Sequence, residues 1–148
     1  FEGCILEDFG RRGPEVQSGM RVILRDCLIR NWGEPGRFDV RSFAGWAHHG
    51  GRIEAESCVF VQPRFWRGLK VMARDWLAHV GQAWNDEGLR GVCRGLVATA
   101  GGRVQTRHCY ATPWWIRLEE RRGDMSRKDA AEMVRRLEAM RQDMERRL

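Results

Sequence analysis

The chain has no run of about 18 or more uncharged apolar residues, so a membrane-spanning helix is excluded. It does not open on Met or on a basic-then-apolar leader, so the expectation is an export signal either removed or never present. Cys4, Cys27, Cys58, Cys93 and Cys109 include no C-x-x-C pair, and no His stands at zinc-ligand spacing. Common metal clusters are thereby excluded, and the odd number leaves at least one thiol outside any internal disulfide framework. With a single Tyr and scattered Arg, the chain lacks the aromatic-basic face that nucleic acid binding would need.

What is present is charge of both signs. The formal charge of +6 over 148 residues would suit a polyanion, an anionic membrane surface or an acidic polysaccharide. Bases alternate with acids throughout: nine Arg face nine acids in residues 1 to 65, ten bases face six acids in 66 to 124, and seven face five in the tail. This mixture reads first as a solvated surface. The length and the 43% apolar content predict one domain with a core plus an appendage.

Three segments align without gaps: Gly19-Met20-Arg21-Val22 through Cys27, Gly50-Gly51-Arg52-Ile53 through Cys58, and Gly101-Gly102-Arg103-Val104 through Cys109. The opening Phe1 to Leu6 resembles the tail of a fourth copy, with Cys4 at the same place. Alternation such as Val22-Leu24 and Ile53-Ala55 marks short strands with one buried face. Successive Cys are separated by 23, 31 and 51 residues, which suits one plain turn followed by turns carrying insertions. The fold expected is all-β, a right-handed parallel β-helix over residues 1–123, with Cys4, Cys27, Cys58 and Cys109 stacked inside as a buried column.

Two helices are also expected. Trp66, Leu69, Met72, Ala73, Trp76, Val80, Ala83 and Trp84 recur at three- and four-residue spacing, predicting an inserted helix over about 66–87. From Met125 to Leu148 there is no Gly or Pro, and Ala130, Met133, Leu137, Met140 and Met144 form an apolar stripe behind a Ser126/Asp129 cap. A C-terminal helix over 124–148 follows, with capping of the last coil and self-association both open as its role.

Residues 1 to about 62, with Arg12-Gly13-Pro14 as the motif, resemble the pectate lyase family of polysaccharide lyases, which carries an Arg-x-Pro motif on one coil. The resemblance extends through the internal repeat to about residue 118 and stops before the tail. It implies a secreted enzyme that cleaves an acidic, uronate-containing polysaccharide by β-elimination, with calcium as cofactor and Arg12 as the catalytic base. The alternative for Arg12 is a surface arginine paired with Glu7, Asp8 or Glu15. Gln17 stands where the family has a carboxylate-clamping Arg, and Val22 where it has His. The family's calcium-binding acids lie upstream of the motif, so the chain alone is expected to be an incomplete lyase. Continuing the gapless alignment puts Gln17, His48 and Thr99 in one column and Arg12, Phe43 and Arg94 in another. Gln17, His48 and Arg94 are therefore the expected substrate-binding residues, lining a groove with Arg12. No metal ligand is assigned to this chain, and neither nucleic acid nor membrane is an expected partner. The competing function is a non-catalytic module that binds carbohydrate or serves as a structural stalk.

Overall fold

The computed structural model describes residues 1–9, 13–32, 43–62, 94–112 and 116–148. In chain order the elements are β1 (Ile5–Glu7), β2 (Glu15–Val16), β3 (Arg21–Arg25), β4 (Leu28–Arg30), β5 (Gly45–His48), β6 (Arg52–Glu56), β7 (Val59–Val61), β8 (Arg94–Thr99), β9 (Arg103–Thr112), β10 (Arg117–Leu118), β11 (Arg121–Asp124) and α1 (Arg127–Arg147). Every pairing between these strands is parallel. The repeat sets the register: Arg21 pairs with Arg52 and Arg52 with Arg103, while Val22, Ile53 and Val104 pair in the adjacent row.

Recurring backbone turns underlie the repeat. Gly3, Asp26, Ser57 and His108, each just before one of the column cysteines, all hold positive φ. Ser18-Gly19, His49-Gly50 and Ala100-Gly101 place two such residues in succession, reversing the chain between the two sheets. The residue after the turn lies against the preceding strand. A Cβ at Gly51 would sit 2.1 Å from the carbonyl oxygen of Val16, and one at Gly102 would sit 2.2 Å from that of Ala47. Only glycine fits there, whereas the matching position in the first copy is Met20, which is exposed.

Alternation then fills the interior. Leu24, Ile53, Ala55 and Val104 from one sheet meet Val16, Ala47 and Leu96 from the other, in a cluster that includes Cys27, Cys58 and Cys109. Burying each Val, Leu or Ile side chain contributes about 1.5–3 kcal/mol. A second cluster joins Leu28 and Val59 to Met125, Ala130, Met133 and Leu137, so the apolar stripe of α1 lies across β4 and β7. Ser126 begins α1 by accepting a hydrogen bond from the Asp129 amide at 3.0 Å. Farther along, Glu7 accepts from Arg30 Nε at 2.6 Å and from Arg141 Nη1 at 2.5 Å, and Arg30 Nη1 donates to Glu138 at 2.5 Å. Burial opposes the charge of Arg30, but its bonds to Glu7 and Glu138 outweigh that cost and raise its pKa.

The expected all-β right-handed parallel β-helix is corrected by this arrangement. The described strands form a seven-stranded sheet, ordered β1-β4-β7-β9-β6-β3 with β11 also on β9, and a four-stranded sheet ordered β10-β8-β5-β2. The ten-residue β9 is continuous and pairs with both β6 and β7, so the larger sheet curls over as a half-barrel. The 21-residue α1 supplies three of the six buried residues of the second core, so the molecule is not all-β. In-register repeats dictate parallel pairing, but neither the closure nor the hand of a coil. The expected helix over 66–87 lies outside the described residues.

Candidate functional site

Of the residues expected to line a catalytic groove, Arg12 lies outside the described residues. The segment after it is held against the edge of the four-stranded sheet: the Gly13 amide donates to the Phe43 carbonyl at 2.9 Å, and the Trp46 amide donates to Pro14 O at 3.0 Å. Gln17 is exposed at the turn after β2, its carbonyl accepting from the Met20 amide. Arg94 opens β8, where its backbone pairs with Arg117.

His48 is only 6% exposed. Its Nε2 lies 3.0 Å from Glu15 Oε1, and its ring stacks on Trp46 with centroids 4.1 Å apart. Trp46 Nε1 in turn donates to Thr99 Oγ1 at 2.8 Å. Strand alternation puts Glu15, Trp46, His48 and Thr99 on the outer face of the sheet, opposite the inward Val16 and Ala47. The cluster is two hydrogen-bonded pairs, Glu15 with His48 and Trp46 with Thr99, joined by the stack of Trp46 on His48. The alignment placed His48 beside Thr99, but nothing in the spacing indicated the clasp by Glu15 and Trp46.

The thiols run through the first core cluster. Cys27, Cys58 and Cys109 are fully buried, Cys4 is partly so, and all four are free. Each sulfur donates toward the carbonyl two residues earlier, at 3.1 to 3.3 Å. Hydrogen bonds with Cys109 and Cys27, together with burial, push Cys58 up, while the Cys58 thiol draws Cys27 and Cys109 down. The column is closed to solvent and is packing first of all.

The open chemistry lies on the outer face of the larger sheet. Arg21, Arg52 and Arg103 form one exposed row across β3, β6 and β9. Arg25, Glu56, Arg107 and Arg122 form a second, across the same strands and β11. Strand spacing sets neighbours in a row about 4.8 Å apart. Between the rows runs Ile23-Glu54-Gln105, and a depression of about 240 Å³ opens against Ile23, Glu56, Gln105, Arg107 and Arg122. Six arginines share this face with two glutamates.

Pairing on the face is uneven. Arg21 grips Glu54 through Nε at 2.9 Å and Nη2 at 2.5 Å, and Arg25 Nε lies 3.7 Å from Glu56. The Arg21 hydrogen bond lowers the Glu54 pKa, and the same contact raises that of Arg21. Among the described residues, Arg52, Arg103, Arg107 and Arg122 join no ion pair. The signal was already in the sequence, since every full copy of the repeat carries Arg at the same position.

Among the described residues, no group of three or more His, Cys, Asp or Glu side chains converges to hold a metal ion, so these residues do not fit the implied calcium. No described helix is long and apolar enough to cross a membrane. No family model matches the chain, and neither a curated protein nor a solved structure matches it.

Proposed function

We propose that this chain is a non-catalytic module that binds an acidic polysaccharide along its arginine rows. The observation that carries the reading is the row Arg21-Arg52-Arg103, with Arg52 and Arg103 bound to no carboxylate among the described residues. Like charges directly opposite one another on neighbouring strands destabilise a sheet, and an anionic polymer turns that repulsion into attraction. The guanidinium fork matches a uronate carboxylate in bidentate geometry. Nucleic acid is disfavoured because, among the described residues, the arginine rows present no aromatic ring on which a base could stack.

Affinity electrophoresis in gels containing polygalacturonate, a neutral glucan or RNA tests the reading. Retardation by polygalacturonate, weakened by salt, is the expected result. At about 0.5–1 kcal/mol per exposed contact, changing Arg52, Arg103 and Arg107 together to Gln weakens binding roughly 10- to 100-fold. Equal retardation by the neutral polymer, or a preference for RNA, overturns it.

A second reading is favoured by the Arg12-Gly13-Pro14 motif alone: a polysaccharide lyase acting by β-elimination, with Arg12 as the base. Under it, a protein extended upstream of Phe1 by the coils that the resemblance implies yields an unsaturated, ultraviolet-absorbing product from polyuronate with calcium, and Arg12→Lys abolishes that product while leaving the fold intact. No such product from the unmutated extended protein leaves the binding module. Either substrate reading places the site of action outside the cell.

A further inference from the structure

We infer that the arginine face selects a polysaccharide in which acidic and neutral sugars alternate, a refinement that rests on the acidic-polysaccharide reading above. The uncompensated cations come in two pairs, Arg52 with Arg103 and Arg107 with Arg122, each set side by side on neighbouring strands. Neither row offers more among the described residues. In the first row Arg21 is held by Glu54, and β11 begins opposite Thr106, past the place where it could add a cation beside Arg103. In the second row Arg25 and Glu56 are matched to each other. A polyanion kept to one row therefore meets two free guanidinium groups, whereas one passing from row to row meets four.

The passage runs along β9. There Arg103, Gln105 and Arg107 point outward, alternating with the buried Val104 and Thr106. Four residues at about 3.3 Å each separate the two arginine pairs by roughly 13 Å. That gap is wider than one sugar ring, and flexible arginine side chains can close part of it. It suits acidic groups carried on every second sugar rather than on each one.

Gln105 decides what occupies the gap. It lines both depressions on the face, one of about 30 Å³ shared with Arg52 and Arg103, and the one of about 240 Å³ shared with Arg107 and Arg122. Its neighbour on β6 is Glu54, whose carboxylate is already engaged by Arg21. An amide both donates and accepts, which suits a hydroxyl or an acetamido group on a neutral sugar. A carboxylate set there would lie beside Glu54 with no free cation of its own. A polymer with an acid on each sugar leaves its middle charge unmatched, and one with alternating acids does not.

Affinity electrophoresis of the chain tests this in gels holding either hyaluronan, whose uronate alternates with a neutral acetamido sugar, or polygalacturonate, at equal carboxylate concentration. Hyaluronan is expected to retard the chain at a concentration roughly three- to ten-fold lower. Gln105→Arg, at an exposed position, supplies the missing cation and should reverse that order by strengthening the polygalacturonate complex alone. Equal or tighter binding of polygalacturonate by the unmutated chain overturns the inference and leaves the acidic-polysaccharide reading standing. So does a Gln105→Arg variant that keeps the preference for hyaluronan. Retardation by neither polymer overturns both.

Discussion

Replacing Gly51 with Ala tests the corner on which both sheets depend. The added Cβ would stand 2.1 Å from Val16 O, 2.5 Å from Val16 C and 2.8 Å from Gln17 N, all of them backbone atoms. None can rotate away as a side chain would, so the turn must retreat from β2. Retreat strains the hydrogen bonds from Ser18 N to His49 O at 3.1 Å and from Arg52 N to Met20 O at 2.9 Å. Overpacking costs about 1–3 kcal/mol and each lost bond about 1 kcal/mol, so the total is about 3–5 kcal/mol. Gly101→Ala is the matched control, because its φ of +79° is strained but nothing lies within 4 Å of the new Cβ. That strain alone costs about 1–2 kcal/mol. Thermal unfolding followed by circular dichroism should separate the two, with a fall in Tm of about 10 °C or more for Gly51→Ala. If Gly51→Ala costs no more than Gly101→Ala, the close approach of the corner to β2 is not what requires glycine.

Two further outcomes follow from named contacts. Because Arg21 holds the Glu54 pKa below its ordinary value, this pair's contribution is present above the ordinary carboxylate range and is lost as pH falls through that range toward the depressed value. Arg21→Gln should therefore lower the urea midpoint at neutral pH and converge with the unmutated chain in acid; a constant difference across pH would refute the pairing. Glu7→Gln removes the acceptor shared by Arg30 and Arg141, groups only 23% and 37% exposed, at a cost of about 1–2 kcal/mol. Amide exchange should quicken over residues 138–147 while the Ser126 end of α1 keeps its protection, and uniform exchange along the helix would show that the network does not anchor it.

Elements whose geometry is local were legible in the sequence. The gapless repeat put Arg21, Arg52 and Arg103 in register, because parallel strands of one pattern align side chain to side chain. Ser126 and Asp129 announced the start of α1, since a cap needs only residues three apart. Contacts that depend on how the sheets curve were not legible. His48 pairs with Glu15 across 33 positions, a relation carried by no spacing rule, and α1 lies across β4 and β7 although its stripe named no partner. The closed-coil expectation failed for the same reason: periodicity reports which face of a strand is buried, whereas β9 serving both halves of the larger sheet is a property of the whole assembly. The repeated Arg is visible in the sequence, where alone it marks only the register. The exposure of all three, and the lack of an ion pair at Arg52 and Arg103 among the described residues, are visible only in three dimensions and turn the row into a candidate site.

The distribution of paired and unpaired arginines bears on the proposed anion site. Arg21 and Arg25 lie on the edge strand β3, and both are matched to carboxylates of β6. Arg52, Arg103, Arg107 and Arg122 lie further in, on β6, β9 and β11, without ion pairs among the described residues. Positive potential is thus displaced away from β1 and β2, whose own acid Glu7 is neutralised by Arg30 and Arg141. A face that recruits a polyanion needs uncompensated charge held at regular spacing. At about 5 Å two unscreened unit charges in water cost nearly 1 kcal/mol per facing pair, a repulsion that a bound polyanion relieves. Glu54 and Glu56, on β6, are matched to Arg21 and Arg25 of β3, which leaves Arg103, Arg107 and Arg122 without an ion pair among the described residues and offers that part of the face to an anion.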